Sequence, residues 1–152
     1  MQNKYTILID TREKTPLIFG DIPLEYTALA AGDYSLKSFS DLIAIERKSL
    51  PDLVQCVGKE RTRFTACLMR LSAYKCKAVI VEATLNDIFL GDWRGEVKSS
   101  QVLGSISSWQ ARFGVPFIYA GNPILAADEC KRLMFKYADY LQDMTKRFED
   151  AK

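Results

Sequence analysis

Apolar residues along the chain fall into short runs divided by charged and small residues, and the spacing predicts strands that give way to alternating helices and strands. Tyr5-Thr6-Ile7-Leu8-Ile9 is apolar enough for a central strand and runs straight into Asp10-Thr11-Arg12-Glu13-Lys14. Thr15 to Ile22, with Pro16 and Gly20, is a loop. Leu24 to Leu29 alternates with period two, breaks at Ala31-Gly32-Asp33 and resumes over Tyr34 to Leu36, as one interrupted second strand. Leu42 to Arg47 is a third strand, apolar to Ile45 and then abruptly Glu46-Arg47-Lys48. Successive strand side chains alternate between faces, so Glu46 and Lys48 share one face and Arg47 takes the other. If Ser38-Phe39-Ser40-Asp41 forms a tight hairpin turn, facing residues have numbers summing to about 79, and Asp33 lies opposite Glu46.

Helical periodicity follows. Ser49 with Asp52 has the form of a capping box, and Pro51 suits the first turn of a helix reaching about Val57. Glu60 to Tyr74 is amphipathic, with Phe64, Cys67, Leu68 and Leu71 on its apolar side. Ala78 to Val81 is a fully buried strand ending at Glu82, and Thr84 caps a short helix over Leu85 to Leu90. Gly91 to Lys98 is a loop with Trp93 and Arg94 at its tip. Gln101 to Phe113 is a helix ended by Gly114, Pro116 to Tyr119 a strand, and Ile124 to Phe148 a long closing helix. Alternation after the third strand implies parallel crossovers, while the first three strands suit an antiparallel meander. The expected architecture is α/β: a mixed central sheet flanked by helices on both faces, in one domain over residues 1–152.

Composition narrows the chemistry. The 152 residues contain no histidine, which removes Ser-His-Asp and Cys-His catalysis and histidine-based zinc sites. Metal chemistry would then rest on carboxylates and carbonyls, hard ligands for magnesium or manganese. The four cysteines lack Cys-x-x-Cys spacing and read as reduced core thiols. No apolar run is long enough to span a membrane, and Met1 to Tyr5 leaves no room for a signal peptide, so a cytoplasmic protein without membrane partners is expected. Net charge is only +2, yet between Ala44 and Lys77 eight basic residues stand against three acidic ones. An excess of one sign beside candidate metal ligands favours a phosphate-bearing partner.

Three strand ends carry acids: Asp10, Asp33 and Glu46, with Lys48 two residues beyond the last. A core strand that ends Glu-Arg-Lys fits either a local ion pair at a solvent-reaching end or a catalytic site. The arrangement Asp…Asp…Glu-x-Lys occurs in nucleases of the restriction-endonuclease fold. Carboxylates there hold one or two magnesium ions, the backbone carbonyl of Arg47 can complete the shell, and Lys48 orients water or neutralises developing charge. Arg12 and Arg47 suit bidentate contact with phosphate.

The more specific pattern is Ile9-Asp10-x-Arg12-Glu13, then Gly32-Asp33-Tyr34, then Glu46-Arg47-Lys48-x-x-x-Asp52. It resembles the nuclease domain of the XPF family of structure-specific DNA endonucleases, whose hallmark is Gly-Asp-x(n)-Glu-Arg-Lys-x-x-x-Asp. The likeness continues through Arg63-Phe64…Leu68-Met69-Arg70-Leu71, the strand ending at Glu82 and Gly114-Val115-Pro116, and so covers essentially the whole chain.

This resemblance implies a restriction-endonuclease-like fold. It implies Asp10, Asp33 and Glu46 as metal ligands, Glu13 as an additional candidate, Lys48 as the catalytic lysine, and Arg12 and Arg47 as phosphate-contacting or site-organising groups. Asp52 matches the motif's last acid and has an equal structural role as a helix cap. Arg63, Arg70 and Arg94 are candidate DNA contacts, whereas Trp93 is better explained by packing onto the body. Family members commonly carry a tandem helix-hairpin-helix module after the nuclease domain. No such paired hairpin follows here, so branch selectivity and a dimer partner do not carry over.

The expected function is magnesium- or manganese-dependent hydrolysis of DNA phosphodiester bonds at branched, flap or fork structures, in repair, recombination or replication, with no organic cofactor. The alternative is a catalytically silent DNA-binding or partner-docking domain, and nothing in the residues excludes RNA as substrate. A homodimer through Gln101 to Phe113 or the last helix is a further expectation, because those helices carry more apolar residues than a small core obviously needs.

Overall fold

The computed structural model describes residues 3–152; Met1 and Gln2, which open the lead-in read as too short for a signal peptide, lie outside the described residues. Strand β1 (Ile7–Asp10) is buried at every position. It sits inside a six-stranded sheet of order β2-β1-β3-β4-β5-β6. The others are β2 (Leu24–Thr27), β3 (Tyr34–Leu36), β4 (Ile43–Lys48), β5 (Cys76–Val81) and β6 (Phe117–Tyr119). Helices α1 (Leu50–Val57), α2 (Arg61–Ser72), α3 (Leu85–Leu90) and α4 (Ser99–Phe113) precede β6, and α5 (Pro123–Asp150) follows it. The mixed sheet expected from the sequence is present.

The sheet is buried on both faces, which is why β5 reads as a continuous apolar run. Val79 and Val81 pack with Leu53, Phe64, Leu68, Ile106 and Trp109 from α1, α2 and α4. Ala78 and Ile80 face Ala126, Cys130 and Met134 of α5, with Leu17 and Phe19 from the loop after β1. The apolar side of α4 is spent on this core: Val102, Ile106 and Trp109 are buried. That face is therefore not the spare surface the sequence suggested; the large exposed apolar side chains include Phe89, Leu90, Ile124 and Leu125 on α3 and the start of α5.

The first three predicted strands do not make a meander. The segment read as one interrupted strand is two strands on opposite sides of β1. β2 pairs parallel to β1 at the sheet edge, and β3 pairs antiparallel on the other side. The physical difference lies in burial: Leu24 and Tyr26 of β2 are largely exposed, as an edge tolerates, whereas Tyr34, Ser35 and Leu36 are all buried. Between them the chain passes over the end of β1, where the Asp10 amide donates to the Asp33 carbonyl at 2.9 Å.

This arrangement positions the site. β3 is antiparallel to both neighbours, β1 and β4, so its start meets their ends along one edge of the sheet. Tyr34 pairs with Ile45, the register expected from the hairpin, and Asp33, just before β3, comes to the same end of the two strands as Glu46. The Asp33 amide donates to the Ile45 carbonyl at 2.8 Å. Gly32 makes this approach feasible: its φ is +73°, and a Cβ there would lie 2.9 Å from the Ile45 oxygen.

Candidate active site

Asp10, Glu13, Asp33, Glu46, Lys48 and Asp52 all line one open cleft of about 550 Å³ at this sheet edge. Its far wall comes from α1 and α2, through Gln55, Cys56, Glu60, Arg63, Phe64, Cys67 and Arg70. Face alternation along β4 works as the sequence required. Ala44 belongs to the α1–α2 side and Ile43 and Ile45 to the α5 side, so Glu46 and Lys48 point toward α2 and Arg47 away from it.

Glu46 is 8% exposed. Burial pushes its carboxyl above the usual range despite the Lys48 ammonium, whose Nζ lies 3.4 Å from Oε1. Asp33 is pushed up to about 8, first by burial and then by the charge of Glu46, although its Oδ2 accepts the Arg47 amide at 2.8 Å. Lys48 gains from Glu46 what burial takes away, and its ammonium sits 5.3 Å from the centre of the Phe64 ring. Asp33 and Glu46 are buried near one another with a single ammonium against Glu46, so ionising both carboxyls in this half-closed space calls for further positive charge. That is the chemistry of a divalent-cation site built on hard oxygen donors. The Arg47 carbonyl leans to the Asp33 side of β4 with its amide, since a strand residue directs both groups to one neighbour.

Asp10 is placed differently. Its carboxylate is 3% exposed and paired with Arg12, Nε to Oδ2 at 2.8 Å, and Oδ1 accepts the Leu29 amide at 2.9 Å. Although burial opposes it, these bonds hold Asp10 below the usual carboxylate range. Among the described residues no group of three acidic, cysteine or histidine side chains is arranged around a metal position. The acids that meet at the end of β4 and could hold a cation are thus Asp33 and Glu46, with Asp10 in the same cleft but otherwise engaged.

The Arg47 side chain is engaged by partners on the other face of β4 from Glu46. Its guanidinium is held by Glu82 and the Thr15 carbonyl on the α5 side, with Glu13 at 3.9 Å, and it fastens the loop after β1 beneath the site. Glu13 is also touched by the Tyr34 hydroxyl at 3.4 Å. Arg12, Arg63 and Arg70 are exposed along the cleft, whereas Arg94 lies on the α3–α4 loop outside its lining. Trp93 packs down, its indole N–H donating to the Val97 carbonyl at 2.7 Å. Only half of the anticipated capping box on α1 forms: the Asp52 amide donates to Ser49 Oγ at 3.3 Å, and the Asp52 side chain faces the cleft.

With this geometry in place, comparison with known families gives a direct result. Residues 9–133 match the ERCC4 domain. The chain belongs to that family. Among solved structures, XPF from Aeropyrum pernix is similar with a TM-score of 0.71 and 21% identity, over 93% of this chain and 69% of that one. XPF from Aeropyrum pernix in complex with DNA is similar with a TM-score of 0.68 and 20% identity, over 90% of this chain and 66% of that one. These likenesses establish the restriction-endonuclease-like fold. No curated protein matches the sequence.

Several residues in and behind this ERCC4 domain's cleft were not singled out in the sequence. Cys67 and Cys56 read as core thiols, yet both line the cleft, and Cys67 is pushed up to about 12 by burial and by Glu46. Glu82 read as a strand terminus and proves to be the partner of Arg47. Helical spacing could assign Cys67 to the face of Phe64 and Leu68 but could not tell which part of that face overhangs Glu46.

Proposed function

We propose that this ERCC4 domain is a metal-dependent endonuclease that hydrolyses DNA phosphodiester bonds, acting at branched, flap or fork structures. The observation that carries the reading is the meeting of Asp33, Glu46 and Lys48 at the end of β4 in an open cleft. A magnesium or manganese ion bound by Asp33, Glu46 and the Arg47 carbonyl would supply Lewis acidity toward a phosphoryl oxygen and acidify a bound water.

The chain's own groups do the rest. Lys48, fixed between Glu46 and the Phe64 ring, holds its proton and directs a fixed positive charge into the cleft. There it orients the attacking water or balances charge developing on the phosphate. Arg12, Arg63 and Arg70 supply guanidinium groups along the cleft wall for the strand's other phosphates. Contacts of this kind recognise backbone and not base, so selection among DNA structures would rest on shape. The family assignment and the likeness to an XPF–DNA complex favour DNA as the partner.

The test is cleavage of an end-labelled forked duplex with magnesium, with and without EDTA. Glu46→Gln and Lys48→Met are each expected to slow cleavage by about 100-fold or more. Their circular dichroism spectra should stay unchanged. Cutting by either variant at the wild-type rate would overturn the assignment. Binding of the fork without cutting by the wild-type protein, in magnesium or manganese, would instead favour a silent DNA-binding domain.

A further inference from the structure

The state of Asp10 points beyond the site just described. Four N–H contacts converge on its two oxygens: Leu29 N at 2.9 Å and Arg12 Nη2 at 3.3 Å on Oδ1, and Arg12 Nε at 2.8 Å and Arg12 N at 3.3 Å on Oδ2. Arg12 Nη2 also donates to the Leu29 carbonyl at 2.9 Å. The guanidinium therefore closes over Asp10, a cleft acid at a strand end like Asp33 and Glu46 and the most buried of those outside that pair. The two partners differ sharply in freedom, since the Arg12 side chain is 74% exposed and that of Asp10 only 3%.

We propose that Arg12 is a substrate-operated latch. While its guanidinium holds Asp10, the carboxylate cluster lacks its third member; a DNA backbone phosphate that takes the guanidinium releases Asp10 to the cleft. This rests on the metal-dependent nuclease reading above. An arginine fork matches a phosphate as well as it matches a carboxylate, so the exchange trades one bidentate pair for another. An ion pair with so exposed a partner is also weakly held in water. The released carboxylate adds negative charge beside Asp33 and Glu46, which a divalent cation turns from a cost into a gain. Metal and DNA thereby strengthen each other's binding by one common factor. Arg12 is in this role a positioning residue, acting on the metal site through Asp10.

The experiment uses calcium as the metal probe and a labelled forked duplex, with gels checking that the duplex remains intact. Calcium affinity without DNA is measured by titration calorimetry, and DNA affinity by fluorescence anisotropy in calcium and in EDTA. For the wild-type protein, calcium is expected to tighten DNA binding on the order of tenfold, within the usual span of such couplings. In Arg12→Gln the calcium affinity without DNA should rise, and the calcium-dependent gain in DNA affinity should shrink toward unity. Arg12→Lys, which keeps the charge but loses the fork, should fall between.

A residue that merely steadied β1 would lower the melting temperature without raising metal affinity. Calcium binding equal to or weaker than wild type in both Arg12 variants would overturn the latch. If Glu46→Gln still abolished calcium binding in that case, the metal site itself would stand. Calcium binding insensitive to Glu46→Gln in every protein would overturn both readings.

Discussion

At the scale of single residues, the two arginines of the motif have parted company. Arg12 is exposed and movable at the cleft, while Arg47 is committed to Glu82 and the Thr15 carbonyl on the other face of β4. Their substitutions should fail in different ways. Arg47→Met leaves Glu82, itself largely buried, without its cation, and the expected loss is about 3 kcal/mol of stability in urea denaturation. The effect on cleavage should follow unfolding and disappear at low temperature.

Asp33 makes the converse prediction, because its carboxyl is pushed up to about 8 by burial and by Glu46. A carboxyl raised above its unfolded value favours folding while protonated, so the contribution fades as pH climbs from about 4 toward 8. The metal-free protein should therefore melt lower at pH 9 than at pH 6, and Asp33→Asn should melt higher than wild type at pH 9. Magnesium binding near pH 7 should release protons, seen as a calorimetric heat that changes with the ionisation enthalpy of the buffer. A wild-type melting temperature that rose between pH 6 and pH 9 without metal would contradict this account.

At the scale of elements, the site hangs on a stack of aromatic rings. Lys48 rests over Phe64 of α2, Phe64 meets Trp109 of α4 edge-on at 5.0 Å, and Trp109 lies parallel to Phe117 of β6 at 6.0 Å. Arg61 adds to that assembly, its guanidinium 5.2 Å from the Trp109 ring centre and donating to Ser105 Oγ at 2.8 Å. Two helices and a strand thus fix the position of one ammonium. Trp109→Ala should cost about 4 kcal/mol, the usual toll for emptying a buried tryptophan site. At temperatures where the variant stays folded, the turnover rate should drop more than calcium affinity, since Asp33 has no contact with this stack and Glu46 reaches it only through Lys48 and Cys67. A variant that lost both equally would place the metal donors on the same support.

At the scale of the whole molecule, the parts legible in the sequence are those governed by local periodicity. The burial of β5, the capping of α3 by Thr84 and the two faces of β4 follow from neighbours a few residues apart. The pairing of Tyr34 with Ile45, which brings Asp33 near Glu46, was equally readable, because a short hairpin turns register into arithmetic. The path of the chain around β1 was not. Leu24–Thr27 and Tyr34–Leu36 carry similar alternation, and only long-range burial decides that one becomes an edge and the other a centre. For the same reason the sequence could put Asp10 at the right edge of the sheet but not under the guanidinium of Arg12.

The hairpin between β3 and β4 also sets a rule of parity for the protein. Its turn lies at the opposite end of the two strands from the cleft, built around Ser38 with φ at +72°. Adding one residue there would slide β3 by a single step against β4 and send Asp33 to the wrong side of the sheet, whereas adding two would restore the facing sides. Lengthening that distant turn by one residue should therefore abolish magnesium binding in a chain with every acid intact, and a second added residue should bring part of it back. A site made of carboxylates on neighbouring strands can be broken by counting alone.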